Sequence, residues 1–529
     1  MVKNTILDAT INPLAKGILK LSLKLPDNQR NKLWEKTLDW IDRKIYHSII
    51  IENYNQKPLV NRFYQYKMGS NLLGSVKKRI KEDKFSKEAL DGMINVFLSS
   101  IFFRSRGAKE FERKNRYKPP KFMTISPLGG CNLQCVGCYA NAISGNPELE
   151  KENTIDYNTL DEIVSRGEEE LGMAFFVISG GEPTYYKSQG KEIYDLFRNH
   201  PNSYFLMYTN GTLLAKEENA DKLASLGNAT PAFSVEGFKE ETEARRGKNV
   251  YKSIIKGMDN IRERKIPFGI SFTATRQNVN ILSDPDKRKR FVDFYFNEKE
   301  ADYLWAFHYM PIGKDVDFNL TLTPKQRTHL IDDVQHLIFK YNIFAADFWN
   351  AAVTSDGCIS GGRGMGYDFV DYDGTPYPCV FNPYYDKEYS DIREIFKRGE
   401  SLVDILNSPL YVGIRKWIDE YSYNQPPEKS GNLWMPCMIR DHYKELMKII
   451  DKVNENYKGE GPRVTVRPKN GALLEESYCP NICRIAEETE KLTGPLWKKY
   501  QNTELVVKRF LEYMPERMKE DYDNGLITQ

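Results

Sequence analysis

Between Lys121 and Met310 short apolar runs alternate with longer amphipathic ones, and no other feature limits the fold so tightly. The apolar runs read as six strands, over 121–126, 174–179, 203–209, 230–236, 267–275 and 302–310. Helices are expected between them over 157–171, 191–199, 216–226, 250–264 and 287–296, the third stopped by Gly227. Each connection is long enough for a crossover. Repeated strand–crossover–strand units build a parallel sheet, so the fold class is α/β. In parallel barrels the chemistry gathers on the loops where strands end. The residues after each strand therefore carry the functional reading.

After the first strand comes Gly129-Gly130-Cys131-Asn132-Leu133-Gln134-Cys135-Val136-Gly137-Cys138-Tyr139, a C-x3-C-x2-C spacing. Three thiolates so close can share one metal centre, and soft thiolates favour zinc or iron–sulfur. A closed zinc site takes four ligands, and no further Cys or His lies between Ser126 and Pro147. Three ligands with an open position suit a cluster that offers one iron to a substrate or cofactor. A zinc site completed from afar and unligated core cysteines are the competing readings. After the second strand comes Ser179-Gly180-Gly181-Glu182-Pro183. Its glycines let backbone polar groups approach a ligand closely, and Glu182 adds an acceptor.

These two segments resemble the radical S-adenosylmethionine (SAM) enzyme family, whose signature is C-x3-C-x2-C with a later G-G-E-P. The resemblance implies a partial (β/α)6 barrel in which Cys131, Cys135 and Cys138 hold a [4Fe-4S] cluster. The remaining iron of that cluster would chelate SAM, with Gly180, Gly181, Glu182 and Pro183 around the SAM amino group. By the same resemblance Asn210, Ser234 and Glu236 face the ribose and carboxylate. Arg246 and its neighbour Arg245 meet the carboxylate or cap a helix, and Ile312 belongs to an apolar shelf under adenine. Strand-end polar residues also cap helices routinely. One departure stands out: Gly137 occupies the place of a bulky, often aromatic, residue, and Tyr139 is expected to take over part of its packing. The implied reaction is reductive cleavage of SAM to a 5′-deoxyadenosyl radical, which abstracts hydrogen from an unactivated C–H bond.

Thr323-Pro324 opens a further helix with an N-cap and a proline at the first helical position. Beyond it, Cys358, Gly374 and Cys379 fit C-x(9–15)-G-x4-C, and Asp373-Gly374 is a hairpin signal that brings two strands together. This resembles the opening of the SPASM or twitch extension, which binds auxiliary [4Fe-4S] clusters. Cys437, Cys479 and Cys483 follow, but a complete extension carries more cysteines than these five. At most one auxiliary cluster is expected. Cys358, Cys379 and Cys437 are its better ligands, with Cys479 or Cys483 as a fourth or an iron left open. A zinc site or plain buried cysteines compete. Arg363, in a glycine-rich turn, contacts substrate or only shapes that turn.

The chain has 529 residues. We divide it into a basic helical region (1–120), the barrel core (121–320), a linker helix (321–345), an α+β auxiliary-cluster extension (346–485) and a helical tail (486–529). Residues 1–120 hold 25 Lys and Arg against 12 Asp and Glu, a balance of +13; the whole chain is +3, so the rest carries −10. A basic arm pairs with phosphates. Ile11, Leu14, Ile18, Leu21 and Leu25 fall on one helical face and Lys16, Lys20 and Lys24 on another, with Trp34 and Trp40 beyond; the same stretch also alternates like a strand. Such a helix lies in a membrane interface or packs on its own body with a solvated basic face. Eight cysteines are too sparse for a disulfide scaffold, and no run is apolar enough to span a bilayer or resembles a signal peptide. We expect a cytoplasmic protein, peripheral at the inner membrane face if the basic region binds lipid. A ribosomal peptide or protein side chain is the first substrate class, a membrane lipid chain the alternative, and a non-catalytic iron–sulfur or zinc protein the reading of another kind. An electron donor such as flavodoxin or ferredoxin is implied, and no nucleic acid is expected.

Overall fold

The computed structural model describes residues 25–52, 57–98, 105–313, 315–350, 352–423, 425–467 and 474–527. The amphipathic stretch from Ile11 to Lys24 lies outside the described residues. Helices α1 (Asp27–Tyr46) and α2 (Leu59–Lys81) pack together. Trp34 is buried, whereas Trp40 keeps an exposed edge. The basic run in α2 does not act as one patch. Arg79 turns inward, its Nε 2.6 Å from Asp302 Oδ1, and its other nitrogens donate to the carbonyls of Lys84 and Glu300.

The expected strands all form, as β1 (Phe122–Ile125), β2 (Phe175–Ile178), β3 (Tyr204–Thr209), β4 (Ala229–Val235), β5 (Gly269–Ala274) and β6 (Tyr303–His308). Aromatic and β-branched residues dominate them, as pleated buried strands favour. They pair in parallel and in order, with Ile125 beside Ile178 and Val177 beside Leu206. Helices α3 (Tyr157–Glu170), α4 (Ile193–Asn199), α5 (Glu217–Ala224), α6 (Lys239–Arg246), α7 (Val250–Glu263) and α8 (Pro285–Val292) fill the crossovers.

The sheet continues past residue 320, into the segment read as a separate extension. Helix α9 (Pro324–Phe339) starts in a capping box between Thr323 and Gln326. It leads to β7 (Phe344–Asp347), which pairs in parallel with β6. β8 (Tyr367–Val370) pairs in parallel with the free side of β1, and β9 (Pro376–Tyr377) returns antiparallel to β8. The nine-stranded order is β9-β8-β1-β2-β3-β4-β5-β6-β7. The turn between β8 and β9 places Gly374 at φ +85°, the left-handed region a glycine enters freely. β7 and β8 have four residues each, too few to carry a readable period.

A second core gathers Trp349, Phe369, Tyr377, Leu410, Ile414 and Tyr478 under α10 (Pro409–Ile418), α11 (Tyr443–Glu455) and α12 (Cys479–Tyr500). The tail folds back: Phe510 packs on Phe339 and Phe63, with ring centroids 4.7 and 5.7 Å apart. Among the described residues no helix is long and apolar enough to cross a membrane.

Candidate functional site

The cysteine loop leaves β1 at Ser126 and is fixed mainly through its backbone. Cys131 N donates to Ile143 O at 2.8 Å and Val136 N to Arg245 O at 2.9 Å. The glycine loop after β2 lies against it, with Gly181 N on Leu128 O and Glu182 N on Gly130 O, both at 2.9 Å. A Cβ on Gly181 would stand 1.9 Å from Gly130 O, so only glycine permits this contact. At Gly137, φ is +64° and a Cβ would lie 2.5 Å from the Tyr309 ring. Tyr309, at the end of β6, fills the space that a bulky residue at 137 would take. Tyr139 does something else: its hydroxyl meets Ser179 Oγ at 2.6 Å.

Cys131, Cys135 and Cys138 line one cavity of about 960 Å³. Tyr139, Gly180, Gly181, Asn210, Ser234 and Arg246 line it too. Donors point at the sulfurs: Leu133 N is 3.4 Å and Asn210 Nδ2 3.8 Å from Cys131 Sγ, and Arg246 Nη1 is 4.0 Å from Cys135 Sγ. Burial pushes the Cys131 and Cys135 thiols up, so thiolates here call for added positive charge. Among the described residues no three His, Cys, Asp or Glu side chains close on one ion-sized point. Three soft sulfurs around a shared cavity, with N–H donors beside them, fit a cubane cluster.

Four proposed SAM contacts stand behind the cavity wall instead. The Glu182 carboxylate is buried and accepts from Thr184 N, Thr209 Oγ1 and Asn210 N at 3.1, 2.6 and 2.7 Å. Burial raises its pKa against the pull of those hydrogen bonds. Glu182 thus ties the β2 loop to the β3 loop, and Pro183 follows it inward. Glu236 is also buried and holds two arginines: Oε1 accepts from Arg245 Nη1 at 2.6 Å and Arg246 Nη2 at 2.5 Å, while Oε2 accepts from Thr273 N at 3.2 Å. Burial opposes the charge on Arg246, and Glu236 with Cys135 more than offsets it. Ile312 is buried in the second core, and Tyr309 and Met310 reach the cavity in its place.

The later cysteines divide three and two. Cys358, Cys379 and Cys437 line the same cavity as the first set. Cys379 Sγ is 3.0 Å from the Tyr367 hydroxyl, and burial pushes its thiol up to about 12. Burial lifts Cys437 as well, with Cys358 next among the causes. Cys479 and Cys483 instead face each other on the first turn of α12, Sγ to Sγ 3.3 Å, beside Tyr443 and away from the cavity wall. Arg363 is buried, and its guanidinium donates to the carbonyls of Cys358, Ser355 and Gly357. It shapes the Cys358 turn.

Sequence reading missed a buried polar group between the two cysteine sets. His308 ends β6, with Nε2 3.0 Å from Asp347 Oδ2 and Nδ1 receiving Arg440 Nη1 at 2.5 Å. Burial holds the imidazole neutral, with a pKa near 4, and its partners assign the proton to Nε2. The one available signal was a histidine at a strand end.

Residues 125–278 match the family described as Radical SAM superfamily. A Fe-coproporphyrin III synthase of Methanosarcina barkeri is 31% identical over 156 residues, 28% of this chain and 36% of that protein. The chain thus matches only about a third of that relative's length. A cysteine-type anaerobic sulfatase-maturating enzyme of Clostridium perfringens is 26% identical over 295 residues, 50% of this chain and 75% of that enzyme. Among solved structures, anSMEcpe with bound AdoMet and Cp18Cys peptide superposes with TM-score 0.45 and 19% identity, covering 72% of this chain and 98% of that one. Family match, strand order and cysteine loop coincide over the same segment: residues 125–278 carry a Radical SAM domain, the kind that uses a [4Fe-4S] cluster and S-adenosylmethionine.

Proposed function

We propose that this enzyme abstracts a hydrogen atom from an unactivated C–H bond inside the cavity shared by the two cysteine sets. The observation that carries the reading is that Cys131, Cys135, Cys138, Cys358, Cys379 and Cys437 line one enclosure. A [4Fe-4S] cluster held by Cys131, Cys135 and Cys138 would supply the one-electron reductive cleavage of SAM, from which the hydrogen-abstracting chemistry would follow. The electron comes from a one-electron donor of the ferredoxin or flavodoxin class. The chain's own tasks are orientation and exclusion of water. Gly180 and Gly181 offer backbone to the SAM amino group. Arg246, held by Glu236, sets positive charge beside Cys135. Cys358, Cys379 and Cys437 hold one auxiliary cluster, and Cys479 and Cys483 lie outside it.

A peptide or protein side chain as substrate draws support from the sulfatase-maturating relative. A lipid chain draws support from a different observation, the apolar lining of the barrel interior. Anaerobic reconstitution followed by iron analysis and SAM-cleavage assay tests the activity. Cys135→Ala is expected to abolish 5′-deoxyadenosine formation; persistence of that product would overturn the assignment.

A further inference from the structure

The cavity does not stop at the cysteines. It runs down the whole inner face of the barrel, as the alternation of its lining residues shows: Phe175 and Val177 on β2, Tyr204, Leu206 and Tyr208 on β3, Tyr303, Trp305 and Phe307 on β6. Tyr204 to Tyr208 alone spans about 13 Å of strand. Beyond the strands' first residues the lining passes to the N-terminal helices, through Met68, Leu72 and Val76 of α2 and Ile41 and Ile45 of α1. Phe97 joins the two parts, its ring 5.0 Å from Tyr204 and 5.5 Å from Phe175. Parallel barrels normally fill this space with side chains. Here the lining of one largely apolar cavity extends from the cysteine end to the N-terminal helices.

Some polar atoms along the passage pair with one another. The Thr230 hydroxyl is 2.8 Å from Pro267 O and 3.0 Å from the Tyr303 hydroxyl, which also lies 3.2 Å from Pro231 O. The Tyr204 hydroxyl, near the far end, is buried without a partner. A peptide threaded here would bury an N–H and a C=O per residue against a lining that is mostly apolar. A hydrocarbon makes no such demand. At the far end Lys44 is exposed with Nζ 6.0 Å from the half-buried Trp40 ring, and Arg43 precedes it. Trp40 and Lys44 line the cavity here, and an aromatic body beside a cation suits an anionic headgroup.

We propose that the passage is a hydrocarbon channel, which receives the long alkyl chain of a lipid from the α1–α2 side and presents it to the cysteine end of the barrel. This names the substrate class for the hydrogen abstraction proposed above and rests on that reading. The channel itself has an independent readout. Cis-parinaric acid fluorescence is expected to rise on binding to the protein and to fall when palmitate displaces it. Leu72→Trp and Leu206→Trp, which narrow the passage in the N-terminal helices and in the barrel, should each weaken binding at least tenfold with melting temperature and cluster absorbance retained. No binding to the wild-type protein, or equal binding to both folded variants, would overturn the channel.

The chemistry is then read with reduced, reconstituted protein, SAM, and either vesicles of dipalmitoyl phosphatidylglycerol with perdeuterated chains or free perdeuterated palmitate. Deuterium in 5′-deoxyadenosine supports the proposal, and the probe that delivers it says whether the chain arrives as phospholipid or free acid. 5′-Deoxyadenosine without deuterium from either probe rejects the lipid chain and returns the substrate to a peptide. No 5′-deoxyadenosine, with the cluster spectrum intact, rejects the radical SAM reading, while the parinaric acid result still decides the channel.

Discussion

Gly137 and Tyr309 exclude each other: a Cβ on Gly137 would lie 2.5 Å from Tyr309 Cε2, and the glycine φ of +64° disfavours any side chain there. The cysteine loop is thus buttressed from the end of β6 rather than from within itself. Tyr309 is held in turn by the backbone N–H of Asp317, which donates to its hydroxyl at 3.1 Å. Gly137→Phe is expected to destabilise the protein by about 2–4 kcal/mol, from overpacking plus left-handed strain. Adding Tyr309→Ala should recover the packing share and leave the strain. Thermal melting and iron content of the single and double variants check this; an equal loss in both would show that the ring is not what excludes the side chain.

This relationship also shows where sequence reading stops. That Cys131, Cys135 and Cys138 share one cavity was legible because residues so close in one loop need no distant partner to meet. The six central strands were legible from repeated local pattern. Asp373-Gly374 foretold the hairpin of β8 and β9. Tyr309 and Gly137 are far apart in the chain, and nothing local pairs them. Glu182 was expected near the SAM amino group through the resemblance of Gly180-Gly181-Glu182-Pro183 to the G-G-E-P motif. Its turn toward Thr209 and Asn210 depends on the neighbouring β3 loop. The β7 and β8 extensions depend on pairing partners that four residues cannot announce.

Glu236 positions Arg246 beside Cys135, so its loss should be felt at the thiol and not only in stability. Glu236→Gln leaves two buried guanidinium groups without their carboxylate, a change expected to cost about 3–5 kcal/mol. Urea unfolding measures that cost. Alkylation of Cys135 in the metal-free protein gives the second readout, because a wandering Arg246 no longer favours the thiolate. Unchanged reactivity would confine Glu236 to a structural role.

Asp368 on β8 is buried, its Oδ1 has no hydrogen-bond partner, and burial raises its pKa to about 7. The unfolded value is about 3.9. Below about pH 4 both states hold the proton and the contribution to stability is intact. Between about 4 and 7 the folded chain keeps a proton that the unfolded chain releases, so stability falls as pH rises, by up to about 1.4 kcal/mol per unit. Above pH 7 the loss is complete. Asp368→Asn should remove this slope, so its stability relative to wild type should climb across that window. The neutral, buried His308 acts in the opposite sense over much of the same range, which makes the variant-minus-wild-type difference the quantity to measure. A flat difference would show Asp368 ionised in the folded protein.

The N-terminal helices are joined to the barrel by a buried ion pair as well as by apolar packing. Arg79 of α2 and Asp302, just before β6, have side chains 5% and 11% exposed. Asp302 also accepts from Ser75 Oγ at 2.7 Å and from Phe268 N at 3.1 Å, so one carboxylate fastens α2 and the β5 and β6 entrances together. Arg79→Met leaves that carboxylate buried without its cation, at a cost of about 3–5 kcal/mol. Arg79→Met with Asp302→Asn removes both charges and keeps an amide oxygen for Phe268 N, with the amide NH2 free to donate to Ser75 Oγ, so much of the loss should return. Hydrogen exchange over residues 59–81 is the local readout. Faster exchange there in the single variant, reversed in the double, would establish the pair as the fastening. Uniform destabilisation over the whole chain would instead show that α2 unfolds only with the barrel.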